Sequence, residues 1–100
     1  MRSAHPPGTS MTKEDADVLA YKVIMHIVAE EHLILRFLAL SGLTSDDLPT
    51  AIRNRSTLAG AMDFLMQHEP DLMTFCENAG VKPESVRQAR SLLPDPPDSY

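Results

Sequence analysis

The stretch Thr12-Lys13-Glu14-Asp15-Ala16-Asp17-Val18-Leu19-Ala20-Tyr21-Lys22-Val23-Ile24-Met25-His26-Ile27-Val28-Ala29 decides the fold. Ala16, Leu19, Ala20, Val23 and Ile27, with the adjoining Ile24 and Val28, recur at intervals of three and four, while Lys22 and His26 fall elsewhere. That spacing predicts a helix with one stripe turned to a core. Thr12 is placed to cap it, and Glu14 and Asp15 occupy the first turn, where the helix dipole favours acids; Asp15 stands where a full capping box has Glu. Val18, Tyr21 and Met25 extend the apolar character beyond one face. Two readings follow: a first helix buried all round, or a helix whose outer face meets a partner or a second copy of the chain.

Downstream, the next strong stop is Gly42. A single helix from Lys13 to Ser41 would be about 43 Å long, against a radius of gyration near 13 Å for a chain of this length, so a break is expected, and the polar cluster Glu30-Glu31-His32 is where it falls. The second helix then carries Leu33, Ile34, Phe37, Leu38 and Ser41, with Gly42 as a left-handed cap and Leu43 packing back as in a Schellman ending. Thr44-Ser45-Asp46-Asp47 opens a short third helix holding Leu48 and Ile52, with a ragged or 3₁₀ start imposed by Pro49. Ser56 is read as the cap of a fourth helix with Leu58, Ala61, Met62, Leu65 and Met66 inward, and His68 at its C-terminal end. Pro70 opens a fifth helix bearing Leu72, Phe75, Cys76 and Ala79, closed by Gly80; Pro83 opens a sixth bearing Val86, Ala89 and Leu93, stopped by Pro94. Gly60 is the one glycine inside a helix, read as a place where another helix approaches closely.

The pattern is that of an all-α protein, a compact bundle of about five to six short helices in one domain over residues 12–93. Residues 1–11, rich in Pro, Gly and Ser, read as a disordered arm, and residues 94–100, with three prolines in seven residues, read as a disordered tail. The bundle also reads as two related three-helix halves. Phe37 to Leu48 lies over Phe75 to Val86 at a constant offset of 38, with Phe and Gly identical, and the match extends back through Ile34 over Leu72 to Ile24 over Met62.

Composition narrows function by exclusion. A net charge of -5, with only Arg53/Arg55 and Arg87/Arg90 as close basic pairs, argues against phosphate-tracking nucleic-acid binding. A single Cys76 permits no internal disulfide and suits a reducing compartment, so the cytoplasm is expected, and no apolar run is long enough to span a bilayer. Cys76 lies in the apolar stripe of the fifth helix, where burial makes a thiol inert. His26 and Glu30, four apart, share a helical face with Glu31 and His32 just beyond, which makes His26, Glu30 and His32 the weak metal candidates; a metalloprotease or di-iron helix would need a second matching set, and the sequence has none. No phosphate loop, nucleophile elbow or carboxylate pair is evident, so neither catalysis nor a cofactor is expected.

Taken together, Phe37-Leu38-x-x-Ser41-Gly42-Leu43, Leu58-Ala59-Gly60-x-x-Asp63-Phe64-Leu65, Phe75-x-x-x-Ala79-Gly80 and Ala89-Arg90-x-x-Leu93-Pro94 resemble an alphaproteobacterial family known as domain of unknown function family 3572. The resemblance runs from Thr12 to Pro94 and implies a small, helical, bacterial cytoplasmic protein, with no activity, ligand or catalytic residue to carry over. The leading expectation is a noncatalytic module for protein interaction or self-association, with Val18, Tyr21 and Met25 as its surface and a protein or a second copy as its partner, not nucleic acid or a membrane. The alternatives are a small metal-binding protein or enzyme using His26, Glu30 and His32, and an RNA-associated regulator using the arginine pairs.

Overall fold

A computed structural model describes residues 11–94 and contains six helices: α1 (Lys13–Ala29), α2 (Glu31–Ser41), α3 (Leu48–Ala51), α4 (Arg55–Met66), α5 (Glu69–Ala79) and α6 (Pro83–Ser91). No strand occurs among the described residues, and none of these helices is long and apolar enough to cross a membrane. The ends read as disordered lie, for residues 1–10 and 95–100, outside the described residues. Met11, read as the last residue of the arm, is partly buried against the core just before the Thr12 cap.

Local chemistry accounts for most boundaries. The Asp15 amide donates to Thr12 Oγ1 at 3.0 Å and the Thr12 amide to Asp15 Oδ2 at 3.2 Å, so Asp15 completes the capping box in place of Glu. The break between α1 and α2 is a single residue. Glu30 is extended (φ -110°, ψ 114°); its amide donates to Ile27 O and its carbonyl accepts from Leu33 and Ile34. The turn lets Leu33 and Phe37 join Ile27 in the core rather than run on into solvent.

Gly42 ends α2 in the left-handed region (φ 79°), donating to Leu38 O at 2.9 Å, but Leu43 donates to Ser41 Oγ instead of reaching back into the helix. The ending is therefore the simpler αL motif, not the Schellman motif expected there. The six-to-one Schellman bond occurs instead at the end of α5, where Val81 donates to Cys76 O beside Gly80 at φ 70°. Before α3, Thr44 and Asp47 exchange side-chain bonds, and Asp47 and Leu48 each donate to the carbonyl three residues back, which is the ragged start expected ahead of Pro49.

Two caps differ from the sequence reading. Asn54, extended at φ -94° and ψ 124°, caps α4 by accepting from the Ser56 amide at 2.9 Å, while Ser56 lies inside the first turn. His68 does not end α4, which stops at Met66; it is the N-cap residue of α5, whose first residue is Glu69, with Pro70 in the second position.

The core is one cluster. Ala16, Leu19, Ala20, Val23, Ile24 and Ile27 of α1 meet Leu58, Ala61, Met62 and Leu65 of α4, Leu72 and Phe75 of α5, and Val86 and Ala89 of α6. Two ion pairs brace α4: Arg55 Nε lies 3.0 Å from Asp17 Oδ1 on α1, and Arg90 of α6 holds both Asp63 oxygens at 2.8 and 3.1 Å.

The offset of 38 is legible in three dimensions. Shifted by 38, the bounds of α2 coincide with those of α5, and Gly42 with Gly80, both left-handed. The aromatic contacts exchange between halves. His26 of α1 meets Phe75 of α5 edge-on, centroids 5.5 Å apart at 70°, and their equivalents Phe64 of α4 and Phe37 of α2 do the same at 5.5 Å and 68°. The first helix of each half thus packs on the second helix of the other, the arrangement produced by an approximate two-fold axis. The third helices break the relation: α6 buries Val86 and Ala89, whereas α3, one turn containing Pro49, has no buried residue.

Candidate interaction groove

One face of α1 is committed to the core, and the opposite face is open. Val18, Tyr21, Met25 and Val28 remain 56%, 43%, 55% and 39% exposed, so the helix is not buried all round. Beside this face, α1 and α5 border a shallow, open groove of about 580 Å³ lined by Val18, Tyr21, Lys22, Met25 and His26 on one side and Phe75, Asn78 and Ala79 on the other. Its surface is almost wholly apolar, with Lys22 and Asn78 as the polar margin. Helical spacing explains the wall: positions 18, 21, 25 and 28 lie along one side of α1, and 75, 78 and 79 along one side of α5.

A second cleft, of about 550 Å³, lies between α2 and α4. Every residue of the first groove except Tyr21 has its 38-shifted equivalent in this cleft: Ser56, Gly60, Asp63, Phe64, Phe37, Leu40 and Ser41. The two are related sites with different chemistry. Val18 and Met25 correspond to Ser56 and Asp63, and the Asp63 carboxylate is already engaged by Arg90. Gly60 opens onto this cleft: a Cβ built there meets nothing within 4 Å, so the close helix approach read from the sequence is absent.

The metal candidates are not brought together. The His26 ring packs against Phe75, whereas the break at Glu30 turns the chain so that His32 instead lies 3.9 Å from Glu30, both exposed. Among the described residues no three His, Cys, Asp or Glu side chains form a metal-holding group. Cys76 is buried, and its burial raises the thiol pKa above the ordinary value, with a smaller opposing effect from the Arg87 charge. The protonated thiol is a poor nucleophile. Each arginine pair contributes one member to an interhelical ion pair, Arg55 to Asp17 and Arg90 to Asp63.

Sequence reasoning missed a polar junction at the start of α5. Asp71 lies 2.7 Å from His68 Nδ1 and 3.9 Å from Arg36, whose guanidinium sits 5.4 Å from the centre of the Phe64 ring. These side chains tie α2, α4 and α5 together. The i, i+3 spacing of His68 and Asp71 was a usable signal once both were placed on one helix; the approach of Arg36 had none.

These features define a class: a small all-helical domain with an open apolar groove between its first and fifth helices and a more polar cleft between its second and fourth. The sequence profile of the family described as Protein of unknown function (DUF3572) matches residues 13–96, and the chain belongs to that family. Searches of curated proteins and of solved structures give no significant match.

Proposed function

We propose that this chain is a noncatalytic interaction module that docks a protein on the outer face of α1 and in the adjoining groove. The observation that carries the reading is the row Val18, Tyr21, Met25 and Val28, exposed on a helix whose other side is fully committed to the core. Scattered apolar residues on a surface are ordinary, but these four follow one side of a single helix and leave on the order of 300 Å² of surface, a patch of a size that is often functional on monomers. At about 25 cal/mol per Å², covering that area contributes roughly 7 kcal/mol before association costs of about 4–15 kcal/mol are subtracted. The balance suits a reversible complex. A bacterial cytoplasmic setting accords with the family resemblance and with a lone thiol held in reduced form.

The test compares the tagged wild-type chain with Met25→Asp in native extract of the source cell. The expected result is a specific protein, or untagged copies of the chain, retained by the wild type and lost by the variant. Identical captures by the two, with both chains monomeric, would refute the reading.

A further inference from the structure

The two related halves hold their second helices differently. In one half, α5 is wedged among α1, α4 and α6 and buries Leu72, Phe75 and Cys76. Its equivalent α2, also of eleven residues, packs chiefly on α1 and α4 and buries only Leu33 and Phe37. The difference comes from the third helices. Helix α6 buries Val86 and Ala89 and packs on α5, whereas α3, four residues long with none buried, gives α2 no comparable support. Both ends of α2 are also natural hinges: it follows the single extended residue Glu30 without a side-chain cap, and it ends at the left-handed Gly42. Over the cleft shared with α4, few contacts hold it down. Phe37 meets the Phe64 ring edge-on, and the Arg36 guanidinium sits 5.4 Å from the centre of the same ring and 3.9 Å from Asp71 of α5. At 3.9 Å the Arg36 and Asp71 charges attract without a hydrogen bond, and that Asp71 oxygen accepts no well-aligned bond from any described residue even with His68 Nδ1 2.7 Å away.

We propose that α2 is a lid, hinged at Glu30 and Gly42 and latched by Arg36, that swings off α4 while the rest of the domain stays folded. Opening bares the Phe64 ring, which Phe37 and Arg36 cover, and widens the cleft of about 550 Å³ between α2 and α4 around an aromatic floor. Segments with few buried apolar contacts are those that open below the free energy of global unfolding. Eleven residues are too few to stay helical alone in water, so an open α2 also releases its backbone hydrogen bonds. The exposed row on α1 belongs to the part that stays folded, so the lid and the docking surface are tested separately.

Native-state hydrogen exchange of the full chain, read by NMR, tests the lid. The amides of α2 are expected to be protected about tenfold or more below those of α1, α4 and α5. Arg36→Gln removes the latch and is expected to lower α2 protection by about three- to tenfold, the scale of one exposed ion pair and one cation–ring contact, with Arg36→Lys recovering part of the loss. Val86→Ala weakens the closed and open forms alike, because α6 stays packed in both; it is expected to lower protection in α1 and α4 by about tenfold while α2 is unchanged. Low urea provides the same contrast without a variant, since opening α2 exposes far less surface than global unfolding. Protection in α2 equal to that in α1 and α4, an equal fall in all helices with Val86→Ala or urea, or Arg36→Gln with α2 unchanged would each overturn the inference.

Discussion

Replacing each of three glycines by alanine should move stability in opposite directions, and the sign follows from backbone conformation. Gly60 lies in the middle of α4 with no positive φ and open space where a Cβ would stand. Alanine there loses less backbone entropy on folding and meets no neighbour, so Gly60→Ala is expected to stabilise by about 1 kcal/mol, raising Tm by roughly 4–8 °C for a domain of this size. Gly42 and Gly80 sit at φ 79° and 70°, also with open space around them. There the added Cβ meets its own backbone, so Gly42→Ala and Gly80→Ala are expected to cost about 1–2 kcal/mol each. Urea unfolding of the three variants, with the slope m unchanged, provides the assay. Destabilisation by Gly60→Ala would show that α4 has a close neighbour or an irregular backbone there, and stabilisation by Gly42→Ala would show that α2 does not end in a left-handed residue.

Two further outcomes follow from titrating groups. The Asp47 carboxyl accepts a hydrogen bond from the Thr44 amide, and this bond, with a smaller effect from the neighbouring Thr44 side chain, holds its pKa below the usual carboxylate range. Because the folded pKa is the lower one, the contribution is fully present above the ordinary value of about 3.9 and is lost as pH falls through the folded pKa; an NMR titration should find Asp47 ionising below that value, and Thr44→Val should return it toward normal. Cys76, buried with a raised pKa, is expected to react with iodoacetamide near pH 8 only as fast as the domain opens, and rapid labelling of the folded chain would contradict its placement.

The parts of the fold legible in the sequence were those decided within a few residues. The Thr12 and Asp15 cap, the left-handed Gly42 and Gly80, and the helix start at Pro83 each rest on one residue's own chemistry. The break near Glu30 rests on a size argument and on the polar cluster Glu30-Glu31-His32, since no side chain caps α2 there. Asn54 and Ser56 are equally good capping types, and only the extended backbone of Asn54 chose between them. His68 was assigned to the wrong helix because one tight turn, Gln67-His68, separates α4 from α5.

The site was half legible. Val18, Tyr21 and Met25 were marked by widening the apolar stripe of α1, but periodicity cannot tell a helix buried all round from one with a free face; that depends on how α4, α5 and α6 are arranged around it. The exchange of rings between halves, His26 to Phe75 and Phe64 to Phe37, is a tertiary fact with no local signature. The metal candidates form no metal-holding group among the described residues. His26 and Glu30 share a face only if the helix continues, and it stops at Glu30.

The central claim is that the outer face of α1 is a docking surface, and the methionines test it most directly. In a chain labelled at the methionine methyl groups, the Met25 signal is expected to shift or broaden when the chain is concentrated or mixed with native extract, while that of Met62, fully buried, stays fixed. A Met25 signal that never moves, or changes confined to Met73 on α5, would contradict the account.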